Sequence, residues 1–269
     1  MRAADGTPPA PAGWRPDRIA AGLTTRTFGR ALECYGHVGS TNDLARDRAR
    51  AGAPEGLLVI ADEQVAGRGR RGQRWAAPPG GAILASLLLR PRTPLPEAFA
   101  PTMILGVAIR AAAQAWGAPA GLKWPNDVLC RGRKLAGVLC EMALEDGGAP
   151  FVIAGFGVNI DFDPAGQGLG AVATSLAREI TGPPPDRAAV LARILAEAEA
   201  RYLCWQGGGY DAIWEEWRTA LLTLGTRVRI DLGAGTLVEG EALRVARDGT
   251  LIVGTPAGEQ PVIAGTILC

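Results

Sequence analysis

Two uninterrupted apolar runs constrain this chain most. GLLVIADEQ (56–64) and AILASLLLRP (82–91) are bounded by glycine and proline and show almost no polar–apolar alternation, so they predict two well-buried strands. A third run, FVIAGFGVNI (151–160), reads as another strand, with glycines where something approaches the backbone. With 269 residues, 48% of them hydrophobic, the chain can bury a substantial core, as one large domain or one large plus one small.

Helical signals lie between and after these runs. STNDLARDRARAG begins with Ser40 as a cap and Asp43 three residues on, as in a capping box, and Gly52 closes it. EAFAPTMILGVAIRAAAQAWG (97–117) carries a stripe at Ile104, Val107, Ala108 and Ala111. LKWPNDVLC, a turn at RGR, and KLAGVLCEMAL predict a short strand feeding a β-hairpin. A long helix near 186–203, a break at Gly207–Gly209 and a helix near 210–222 follow. After Gly225 the texture changes to short alternating runs separated by glycine, which predicts a small appended β-barrel. The expected organisation is a loose tail over 1–24, poor in large apolar side chains, a main domain over 25–222 and a small one over 223–269.

Charge and cysteine content narrow the function classes. Lysine plus arginine total 28 against 27 acids, so a net charge of +1 draws the molecule to neither nucleic acid nor an anionic membrane. Five scattered cysteines and one histidine argue against a disulfide framework and a zinc site, and no metal ligand is assigned. No apolar run approaches the roughly 20 residues of a membrane span, and the N-terminus lacks a signal-peptide core, so the expected location is the cytoplasm.

VAGRGRRGQRW (65–75) concentrates arginine and glycine with no acid. Gly67, Gly69 and Gly72 satisfy the dinucleotide fingerprint as a pattern, but Pro78 and Pro79 follow where a helix must open. Glycine flexibility and charge repulsion predict a mobile loop ordered by an anion, and arginine forks suit phosphate. In LKWPNDVL, Pro125 extends Trp124 and Asn126–Asp127 favours a turn, so Lys123 ends a rigid strand as a fixed point charge. Such an ammonium can stabilise a phosphate during in-line displacement.

GSTND, ADEQVAGRGRRGQRW, KWPNDV, RKLAGVLCE and GFGVNI, in this order, resemble the biotin protein ligases across roughly residues 30–160, and the terminal IAGTI stretch is also similar. The resemblance implies an α+β fold: a mixed β-sheet with helices packed against it, of the class II aminoacyl-tRNA synthetase and biotin ligase type, plus a C-terminal SH3-like β-barrel. It implies biotin and ATP as substrates, Mg2+ as cofactor, biotinyl-5'-AMP as intermediate, and transfer to a lysine of a biotin carboxyl carrier protein. Lys123 and Arg68 then stand as catalytic. Ser40, Thr41, Asn42, Gln64, Gly67, Arg68, Gly69, Arg70, Lys123 and Gly137 stand as biotin-binding. Arg68, Arg70, Trp75, Asn126, Lys123 and Asn159 stand as nucleotide-binding.

Some relatives in that family carry an N-terminal winged helix, for which residues 1–38 are too few, so the expectation is a ligase only, monomeric or homodimeric, with neither a nucleic-acid nor a membrane partner. DFDPAGQGLGAVATSL supplies no clear aromatic partner for adenine. Lipoyl ligases share the chemistry and stay as the rival enzyme. An RNA or DNA binder stacking bases on Trp75 and Trp124 is the rival from another class, and the near-zero charge weighs against it.

Overall fold

A computed structural model describes residues 13–92, 95–143 and 150–268. Seven strands, β1 (Leu32–Val38), β2 (Leu58–Gln64), β3 (Ala82–Leu89), β4 (Ala120–Lys123), β5 (Asp127–Cys130), β6 (Arg133–Ala143) and β7 (Phe151–Asn159), form one sheet in the order β1-β2-β3-β7-β6-β5-β4. β1 and β2 are parallel and the other neighbours antiparallel, so the sheet is mixed, as expected. β1 carries no signal in the reading above because it lies at the sheet edge. Its residues are mostly half-exposed, and Glu33 and His37 dilute its apolar pattern.

The helices are α1 (Pro16–Gly22), α2 (Thr41–Arg50), α3 (Ala100–Ala115), α4 (Leu176–Glu179), α5 (Arg187–Gln206) and α6 (Tyr210–Thr219). Strand side chains alternate between faces, and the two faces have different fates. On β7, Ala154, Phe156 and Val158 enter the large core shared with α3 and α5, whereas Phe151 and Ile153 pack in a small core with Ala45 and Ala49 of α2. Gly155 and Gly157 continue that second face, and having no side chains they let Asn42 and the Trp75 ring lie directly on the strand. Ser86 of β3 and Gly137 of β6 lie on the same face by register. The result is a bare strip of sheet beside a helix N-terminus.

Residues 13–24 are not a loose tail. Trp14 and Ile19 are buried, and the Arg187 guanidinium lies 4.4 Å from the Trp14 ring while pairing with Asp62 at 2.8 Å. Two large apolar residues suffice to anchor this short helix, although composition over the whole segment is poor in them. The rest of the expected tail, residues 1–12, lies outside the described residues.

Strands β8 (Arg227–Gly233), β9 (Thr236–Val245), β10 (Leu251–Thr255), β11 (Gly258–Val262) and β12 (Thr266–Leu268) form an antiparallel sheet in the order β11-β10-β9-β8-β12. These strands are the small C-terminal β domain expected after Gly225, with β11 and β12 at the ends of the ladder. Aromatic side chains dock it: Trp124 Nε1 donates to the Gly249 carbonyl at 2.8 Å, Trp214 Nε1 to Ala246 at 3.0 Å, and the Tyr210 hydroxyl to Arg247. Among the described residues no helix is long and apolar enough to cross a membrane.

Candidate active site

A cleft of about 850 Å³, solvent at its mouth included, lies on the bare strip. Its floor is Gly137, Leu139, Gly155 and Gly157. Its walls come from the start of α2, the arginine-rich loop, the Lys123–Asp127 turn and Gly265–Ile267 next to and within β12.

One end is polar and uncharged. Thr41 N–H donates to Gln64 Oε1 at 2.7 Å, the Thr41 hydroxyl reaches the same oxygen at 3.0 Å, and Ser86 Oγ lies 2.8 Å from Thr41 Oγ1 and 2.6 Å from Asn42 Oδ1. Asn42 Nδ2 donates to Glu141 at 2.6 Å. A Cβ at Gly155 would collide with the Asn42 amide, so glycine is what admits Asn42 to this face. Gln64, from β2, therefore satisfies the first free amide of α2. The Ser40 side chain makes no cap bond, and Asp43 takes no part in a capping box because its carboxylate faces Arg68 and Arg46 instead. A free helix N-terminus lined by amide and hydroxyl groups offers donors and acceptors to a neutral, hydrogen-bonding ligand end.

The other end is cationic, with Arg68, Arg70, Lys123 and Lys134 lining it against one carboxylate, Asp127. Lys134 Nζ lies 2.7 Å from Asp127 Oδ1 and 5.4 Å from the centre of the Trp75 ring, which rests on Gly157 and beside Gly137. Lys123 Nζ donates to the Ile267 carbonyl at 3.2 Å. Burial pushes the Arg70 guanidinium below its ordinary value, with Asp127 pulling the other way. Asn126 Nδ2 donates to Val138 at 2.6 Å, which fixes the turn carrying Lys123, and the Trp124–Pro125 peptide is cis.

The loop is folded as a hairpin. Trp75 N–H donates to Gly67 at 3.0 Å and Gly69 N–H to Gln73 at 2.6 Å. Its countercharges come from elsewhere in the fold, which inspection of the loop alone could not reveal. Asp43 of α2 takes both Arg68 Nη atoms at 2.6 and 2.7 Å, and Arg68 in turn holds the Asp43 carboxyl below the usual carboxylate range. Only a single 3-10 turn over Arg70–Gly72, and no α-helix, follows Gly67 and Gly69, in agreement with rejection of the dinucleotide reading.

Of the residues expected at the site, Ser40, Thr41, Asn42, Gln64, Arg68, Gly69, Arg70, Trp75, Lys123, Asn126 and Gly137 line the cleft. Two do not. Gly67 is buried at the base of the hairpin, where a Cβ would meet the Trp75 carbonyl at 2.6 Å. Asn159 is buried too, its amide donating to the Thr174 carbonyl at 2.9 Å, so it ties down the segment after β7. Lys134, Gln73 and Gly265–Ile267 line the cleft without having been singled out, whereas Gly155 and Gly157 do so as glycines of the strand where something was expected to approach the backbone. Period-2 alternation from Phe151 could have placed Gly155 and Gly157 on one face, but no local signal brings β12 here.

The cleft lies within a wider likeness. Residues 37–159 match the biotin/lipoate A/B protein ligase family model. The chain is 35% identical over 252 residues to Bifunctional ligase/repressor BirA of Bacillus subtilis, covering 93% of this chain and 77% of that protein. It is 36% identical over 245 residues to a biotin--[acetyl-CoA-carboxylase] ligase of Mycobacterium tuberculosis, covering 89% of each. Among solved structures, the biotin protein ligase of Aquifex aeolicus in complex with biotin and ATP superimposes with a TM-score of 0.75 at 26% identity, over 89% of this chain and 98% of that one.

Proposed function

The chain belongs to the biotin protein ligases, and from that membership we propose that it joins biotin to ATP as biotinyl-5'-AMP and then transfers biotin to a lysine of a biotin carboxyl carrier protein. The observation that carries the reading is the polarity of the cleft, with neutral hydrogen-bonding groups at one end and Arg68, Arg70, Lys123 and Lys134 at the other. Biotin-adenylate has this pattern, with an uncharged ureido ring at one end and a phosphate at the other.

Thr41, Asn42 and Gln64, with Ser86 behind them, take the ureido head. A lipoyl dithiolane brings no donor or acceptor to these groups and so gains none of the polar contacts that a ureido ring can make with them. In the first step the biotin carboxylate attacks the α-phosphorus and pyrophosphate leaves. Lys123, held at a strand end, offsets the charge that builds on the phosphoryl oxygens, and Arg70 adds to it. Trp75 gives the base an aromatic face. In the second step the carrier lysine amine attacks the acyl carbon and AMP departs, with the Arg68–Arg70 hairpin keeping water from the anhydride.

Among the described residues no three carboxylate, histidine or cysteine groups cluster as a metal cage. A single cleft carboxylate, Asp127, fits Mg2+ held mainly by nucleotide phosphates and water, which is this ion's usual habit, and the ion would supply charge neutralisation there.

The test is purified protein with labelled biotin, ATP, magnesium and a carrier domain. Covalent label on one carrier lysine is expected. Transfer of lipoate and not biotin, or oligonucleotide binding without ATP consumption, overturns the reading.

A further inference from the structure

Arg71, like Arg74, is an arginine of the loop that does not line the cleft. Its backbone is left-handed (φ 57°, ψ 31°), an uncommon state for a side-chain-bearing residue, and this turns its side chain outward from the hairpin. Its Nη1 donates to the Asp231 carbonyl at 2.5 Å and lies 3.4 Å from Thr266 Oγ1, and Nη2 is 3.8 Å from Asp231 Oδ1. The guanidinium sits in a notch that exists because residue 233 is glycine, since a Cβ there would be 2.5 Å from Nη2. Asp231 Oδ1 also accepts from Gly233 N–H at 2.7 Å, which sets the notch's shape. The adjoining residue, Ile267, accepts from Lys123. One edge strand of the second sheet thus meets both the lysine turn and the tip of the arginine hairpin.

We propose that Arg71 is a positioning residue that latches the hairpin to the C-terminal sheet and so retains the acyl-adenylate until the carrier arrives, an inference that rests on the reading of the site as an adenylate-forming ligase. Arg68 ties one side of the hairpin to α2 through Asp43, and Arg71 ties the tip to β8 and β12. The hairpin spans the cleft as a strap fixed on both banks. Arg70, between them, is left facing the ligand.

Two variants probe the latch from opposite sides. Arg71→Gln removes the charged fork, and Gly233→Asn fills the notch with a residue that tolerates left-handed backbone without touching the hairpin's sequence. Dissociation of preformed, labelled biotinyl-5'-AMP should quicken about tenfold in each, the scale of losing one or two charge-assisted hydrogen bonds. Biotin-dependent pyrophosphate exchange should stay within about twofold on the same energetic scale, since Arg71 does not line the cleft, and Arg71→Lys should fall between. Amide hydrogen exchange over 66–75 in ligand-free protein, expected to accelerate in both variants, reads the latch without any reaction. Unchanged exchange and unchanged adenylate retention overturn the latch, and so does an equal loss of adenylate synthesis and retention. Faster amide exchange in protein that makes no adenylate overturns the reaction assigned above and leaves the latch as a structural tie.

Discussion

Lys123 carries its role through placement. It ends β4, the turn behind it is fixed by the Asn126–Val138 bond, and its ammonium reaches a backbone carbonyl of the second sheet. Lys123→Ala should lower kcat for adenylate formation about 10²–10³-fold while biotin affinity changes little, because the charge is used mainly in the transition state. Pyrophosphate exchange together with calorimetric titration of biotin checks both halves. The Asp43–Arg68 pair gives a prediction in pH. The folded carboxyl titrates below its unfolded value, so the pair's contribution is present above about pH 4 and is lost as pH falls through the lowered value. The urea midpoint of Asp43→Asn should lie below the parent's at pH 7, and the two should converge on acidification. A gap that widens toward low pH would reverse the sign.

At the scale of elements, the two faces of β7 explain both stability and access. One face is sealed by α3 and α5, and the other is packed by α2 at Phe151 and Ile153 and met by its Asn42 at Gly155. The short helix α1 belongs to the sealed side through Trp14. Trp14→Ala should cost about 3–5 kcal/mol, as for other buried aromatic truncations, measured by urea unfolding. The runs of β2, β3 and β7 were readable because most of their residues are buried and few are polar. β1 was not readable, since half-exposed edge strands carry no such run. α1 was missed because two anchoring residues do not shift the composition of a segment rich in alanine and proline.

Across the whole molecule, residues legible at the site belong to short motifs whose chemistry is local, such as the lysine at a rigid turn. Those that were not legible depend on long-range packing. Asp43 and Arg68 are 25 positions apart, and Arg71 and Asp231 are 160 apart. Arginines without acids among their sequence neighbours looked repulsive, yet the folded chain brings the acids to them. The change of texture after Gly225 marked the second sheet, but nothing in it indicated that its edge strand β12 would form a wall of the cleft. The cleft therefore draws on residues from Ser40 to Ile267. A chain cut short before Thr266 would lack one wall of the cleft, so the second sheet belongs to the site and is not an appendage to it.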